Sequence, residues 1–192
     1  MNIDERLQRL LDKDEIEGVL QKWAHSVGRK DWDKVREVFF EDATDAHSGR
    51  YEGGVEGFFA WQKRHHVGVE QSVHFIGSGQ IEFATPELAL SQSYVIAFHR
   101  YGLEARQARI DIFGPEQADR VKPMHSNIVG RYIDRFEKRK GEWRIAKRVS
   151  VIEWVRFEEA PWDLPFQPGW TAAKRGRDDA SYAMRREMGL PD

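Results

Sequence analysis

The chain has 192 residues, with 30 Lys and Arg against 32 Asp and Glu, and a formal net charge of −2; this balance excludes a strongly basic nucleic-acid binder. It contains no cysteine, which excludes disulfides, a thiolate nucleophile and cysteine metal centres. A charged first segment and the lack of a long apolar run predict no signal peptide and no membrane span, hence a cytoplasmic protein.

In chain order, Asp12 stands three residues before Glu15, which resembles a capping box. Ile16, Val19, Leu20, Trp23 and Val27 then recur at helical spacing. Together they predict a helix over 13–27, ended by Gly28. Asp31 caps a second helix carrying Trp32, Val35, Val38 and Phe39. Residues 43–51 read as a strand and 54–66 as a third helix. From about residue 72 the period changes, and 72–83, 88–101, 127–138 and 142–157 read as long strands paired around Pro86-Glu87 and Lys140-Gly141.

Residues 102–126 form a long polar connection of the kind that is functional or mobile. The tail after 157 sets Pro161, Pro165 and Pro168 around Trp162, Phe166 and Trp170, a pattern that predicts docking on an apolar surface. Helices followed by paired strands give an α+β fold, a curved antiparallel sheet wrapped against N-terminal helices with a pocket between. The organisation expected is one domain over 1–157 and a tail over 158–192 packed on that domain or on a neighbouring subunit.

Several residues stand out as chemistry. Asp45 and His47 are two apart on a predicted strand and share a face; a carboxylate beside an imidazole orients it as a base. Arg148 lies among apolar residues of the last strand, where an arginine must be paired or line a polar cavity. His99 and Tyr101 share a face near a strand end, and His25 lies one turn before Gly28. His65-His66 ends a helix and reads as solvated. A metal centre on Asp45, His47 and His74 is not expected, because no dense ligand motif is present.

The order of short segments resembles the SnoaL-like branch of the nuclear transport factor 2-like superfamily. The carriers are Gly28–Trp32 (GRKDW), Phe40–Ala43 (FEDA), His47–Gly53 (HSGRYEG), Ser72–Ile76 (SVHFI), Gly130–Phe136 (GRYIDRF) and Trp143–Arg148 (WRIAKR). Within it the pattern is similar to the scytalone dehydratase, hexachlorocyclohexane dehydrochlorinase and lignin diarylpropane lyase groups. The resemblance implies a cone-shaped α+β barrel and a cofactor-free lyase acting by a His–Asp pair. It places the family histidine at His74 and the cavity arginine at Arg148. The family aspartate falls on Gly28, so compensation is expected from Asp45 and His47. A cavity tyrosine of the family falls on His47 and a cavity asparagine on Tyr132. Tyr132, His99, Trp154, His25 and Tyr101 are the expected substrate contacts. The implied reaction is elimination on a small aromatic substrate, most concretely a diarylpropane diol giving a stilbene and formaldehyde, with no metal or cofactor and with a homodimer or homotrimer as the assembly. An isomerase or hydratase is a neighbouring reading. The rival class is a non-catalytic ligand-binding or partner-subunit module.

Overall fold

Asn2 opens helix α1 (Ile3–Arg29) through a capping box with Glu5, ten residues earlier than the Asp12 signal predicts. Asp12 instead lies inside the helix, buried, where it accepts from Trp143 Nε1 at 2.9 Å and Lys138 Nζ at 2.8 Å. Those bonds make a buried carboxylate tolerable. Nor does Gly28 end the helix: it runs to Arg29, and Lys30 takes the left-handed turn at φ 55°.

The computed structural model describes residues 2–119, 121–161 and 166–191, with Ser78 described through its backbone only. After α1 come α2 (Trp32–Glu37), β1 (Phe39–His47), β2 (Glu52–Gly54), α3 (Val55–His65), β3 (Val69–Thr85), β4 (Leu88–Tyr101), α4 (Arg106–Phe113), β5 (Met124–Arg139), β6 (Glu142–Glu159) and α5 (Ala180–Glu187). Asp31 caps α2 as expected.

The strands form one curved sheet in the order β2-β1-β6-β5-β4-β3, and the α+β class with helices against the sheet holds. The sheet is mixed, however, because β1 runs parallel to β6. A parallel neighbour requires a long crossover, which the elements between β1 and β6 supply. From α1, Ile16, Leu20, Trp23 and Val27 enter the core with Phe39, Phe58, Tyr132 and Phe136. Trp23 stacks on Phe58 at 6.0 Å and meets Phe39 and Tyr132 edge-on. Full burial of each such aromatic contributes roughly 1.5–3 kcal/mol.

Register shifts in β6 alter the expected faces. Phe136 pairs with Ile145 but Arg135 with Lys147, so Arg148 joins the inward face of Trp143 and Ile145. A second shift, between Gly130 and Val129, pairs Trp154 with Val129 on the outer face. Simple alternation from the sequence misses both bulges.

The 102–126 connection is largely folded. Ala105, Ala108 and Phe113 form a second small core with Val69, Tyr101 and Met124. Gly68 makes this possible: its φ is +69°, and a Cβ there would meet Ala105 N at 2.3 Å. Only glycine combines that conformation with that approach. The crossing sets α4 over the end of α3.

Of the tail residues expected to dock, Trp162 and Pro165 lie outside the described residues. Phe166 and Trp170 are exposed, so these two aromatics do not hold the described tail. Polar side chains anchor it: Tyr182 Oη donates to buried Asp31 at 2.6 Å, and Arg29 pairs with Asp179 at 3.3 Å. No helix among the described residues is long and apolar enough to cross a membrane.

Candidate functional site

Between α1, α3, α4 and the concave sheet lies a cavity of about 50 Å³. Five histidines line it: His47 at the end of β1, His65 and adjacent His66 at the end of α3, His74 on β3 and His99 on β4. Arg50, Tyr101 and Tyr132 complete its polar wall, and Trp23, Trp61 and Ile128 its apolar wall. Despite the histidines, no group of three or more His, Asp or Glu among the described residues could hold a metal ion.

Two of the histidines are held by carboxylates. His65 Nδ1 lies 3.0 Å from Asp111 Oδ2 on α4, and His47 Nδ1 lies 3.3 Å from Asp45 Oδ1. A carboxylate only accepts, so each Nδ1 carries the proton and each Nε2 is left with its lone pair. Burial pushes both histidines below the ordinary value, and the Asp111 and Asp45 hydrogen bonds partly oppose it. His74 is pushed down to about 3, by burial first and then by the Arg175 charge. Burial and the charge of His74 hold His99 well below its ordinary value. The Nδ1 atoms of His74 and His99 are buried with no hydrogen-bond partner, and their rings meet edge-on at 5.2 Å. Burial lifts the Tyr101 hydroxyl to about 12. At neutral pH the histidines are therefore bases or neutral donors, not cations.

The positive charge comes from arginines. Arg50 lines the cavity partly buried, and among the described residues no carboxylate pairs with it. Burial lowers its pKa, and Asp111 and Asp45 act on it only at a distance. Arg175, from the tail, donates to the carbonyls of Gly28 (2.9 Å), Val69 (2.8 Å) and Val27 (3.1 Å), and also to His66 Nδ1 at 2.6 Å. It thus caps α1 where the resemblance places a carboxylate. A side chain at Gly28 would stand 3.2 Å from Ser72 O, tight against backbone. The sign of the charge at this corner is reversed.

The structure brings His47, His74, His99, Tyr101 and Tyr132 to the one cavity. Asp45 stands behind His47. Arg148 does not line the cavity: fully buried, it makes two 2.7 Å hydrogen bonds to Asp134, with its guanidinium 4.0 Å from the centre of the Tyr132 ring. Asp134 holds that guanidinium charged against the opposing effect of burial. His25 faces a separate groove shared with Gly28 and His74, and Trp154 is half exposed on the outer face. The expectation of a solvated His65-His66 is corrected: both are buried, under α4 and against the tail. Asp134→Ala leaves the Arg148 charge buried without its partner, and is expected to cost about 3–5 kcal/mol by chemical denaturation.

The solved structures it resembles include a provisionally assigned scytalone dehydratase from Novosphingobium aromaticivorans (16% identity, TM-score 0.64, covering 85% of this chain and 98% of that one). A hexachlorocyclohexane dehydrochlorinase of type 2 matches with 16% identity and TM-score 0.65, covering 86% of this chain and 99% of that one. The type 3 dehydrochlorinase from Novosphingobium barchaimii matches with 16% identity and TM-score 0.60, covering 85% and 99%. At such identities the likeness is one of fold. No curated protein matches at a significant level. The SnoaL-like domain model matches residues 8–149, and the chain belongs to that family.

Proposed function

We propose that the protein is a cofactor-independent lyase that eliminates water from a small hydroxylated aromatic substrate. The observation that carries this reading is the buried His65–Asp111 pair opening on the same cavity as Arg50, which pairs with no carboxylate among the described residues. His65 takes the proton of a phenolic hydroxyl through Nε2, and Arg50 stabilises the phenolate. Electrons from that phenolate expel a benzylic hydroxide para to it, and the proton on His65 leaves with the hydroxide as water.

With a diarylpropane diol the reaction continues. The hydroxymethyl O–H gives its proton to His65, a free base again once water has left, the adjacent C–C bond breaks, formaldehyde departs, and the electrons restore the phenolate, which takes that proton back. The diol gives stilbene, formaldehyde and water without any oxidant. Two rings exceed the closed cavity, since ligand pockets usually run about 300–1,000 Å³. The diol therefore requires α4 or the tail to shift on binding; a single-ring 4-hydroxybenzylic alcohol requires less. Arg175 in place of a carboxylate, together with the small cavity, favours a second reading, a module that binds such compounds without turning them over.

The test is turnover by protein dialysed against a chelator, with the diol and with the single-ring alcohol, followed by absorbance and by formaldehyde release. Stilbene and formaldehyde in equal amounts, or dehydration of the single-ring alcohol, are expected with nothing added. Calorimetric binding of both compounds without product would replace the lyase reading by the second.

A further inference from the structure

Two histidines adjacent in sequence have partners of opposite kind. His65 Nδ1 meets the Asp111 carboxylate at 3.0 Å, and His66 Nδ1 meets the Arg175 guanidinium at 2.6 Å. Their rings lie 5.6 Å apart, tilted by 61°, and both line the cavity. A carboxylate only accepts and a guanidinium only donates. His65 must therefore carry its proton on Nδ1, and His66 must leave Nδ1 bare and carry its proton on Nε2. Among the described residues the protein bonds each ring through Nδ1 and not through Nε2.

We propose that Asp111 and Arg175 fix His65 and His66 in opposite tautomers, so that one turn of chain presents a proton acceptor and a neutral N–H donor to the same ligand oxygen-bearing group. This deepens the lyase reading and rests on it for the chemistry: His65 Nε2 takes the proton, and His66 Nε2–H hydrogen-bonds the oxygen that gains charge. His66 gives up no proton. A neutral imidazole can stabilise an oxyanion as a donor without becoming an acid. Arg175 is a positioning residue here, acting through His66. Its three backbone bonds to the end of α1 and the start of β3 hold the guanidinium where it meets the ring.

Long-range 1H–15N spectra of protein labelled with 15N-histidine read the tautomers directly, with His65→Gln and His66→Gln supplying the assignments. The expected result is a protonated Nδ1 on His65 and a protonated Nε2 on His66. Arg175→Met should turn His66 into a tautomer mixture and leave His65 unchanged; Arg175→Lys, which keeps a donor, should restore His66 in part. His66→Phe removes the N–H and should lower kcat about 10²–10³-fold with a smaller change in KM. The same tautomer on both histidines overturns the proposal, as does an unaltered His66 in Arg175→Met. The wild-type spectra need neither a substrate nor a folded variant of Arg175, so they decide the tautomers even if the lyase reading fails.

Discussion

Replacing His65 with glutamine is expected to lower kcat by about 10²–10⁴-fold, the range for loss of a general base. Glutamine keeps a hydrogen-bond donor for Asp111, so α4 stays tied to α3 and the effect falls on proton transfer. KM should change far less than kcat, since the ring is asked to act on a proton and not to hold the substrate. The pH profile carries the same signature. His65 works only while Nε2 is unprotonated, and burial holds its pKa below the ordinary histidine value against the pull of Asp111. Activity should therefore survive below pH 6.5, the unperturbed histidine value, and fall only as more acid conditions protonate the ring. Asp111→Leu removes that pull and the tautomer control together; it should shift the acid limb further down and reduce kcat.

Arg50→Met is expected to lower kcat by about 10²–10³-fold, as loss of a fixed stabiliser of a developing oxyanion does. Arg50 meets the requirements for that role by elimination among the nearby arginines. Arg148 is neutralised by Asp134 through two 2.7 Å bonds. Arg175 gives its donors to three backbone carbonyls and His66. Only Arg50 faces the cavity with no carboxylate paired to it among the described residues. Methionine fills a similar volume, so the fold should be preserved while the charge is lost.

Much of the fold could be read from the sequence because it rests on local periodicity. The change from helical to strand spacing near residue 70, the turns at Pro86 and Lys140-Gly141, and the Asp31 cap are all properties of neighbouring residues. The parallel β1–β6 pairing and the two bulges of β6 are not, since they depend on how distant strands meet. The site divides in the same way. Asp45 and His47 are two residues apart, and their shared face was legible. The partner of His65 lies 46 residues away and that of His66 lies 109 residues away. Asp111 sits in a stretch whose helix is stabilised by a glycine-dependent crossing at Gly68, and Arg175 in a tail whose anchors are polar. A doubled histidine at a helix end looks solvated until α4 and the tail are placed over it. Arg50 lies in a segment that the sequence reads as a short strand over 43–51, whereas the structure ends β1 at His47 and turns the chain through 48–50. The signal that could have found it is an arginine directly before an aromatic, Arg50-Tyr51, in a short hairpin, a weak one.

The claim that the cavity prefers a negative oxygen can be measured without knowing the natural substrate. 4-Nitrophenol changes absorbance when it ionises, so its titration in the presence of saturating protein reports the form that the cavity binds. Wild-type protein should bind the phenolate in preference and lower the apparent pKa of the bound phenol, and Arg50→Met should abolish that shift. Preferential binding of the neutral phenol, or a shift that persists in Arg50→Met, would contradict an anion-stabilising cavity.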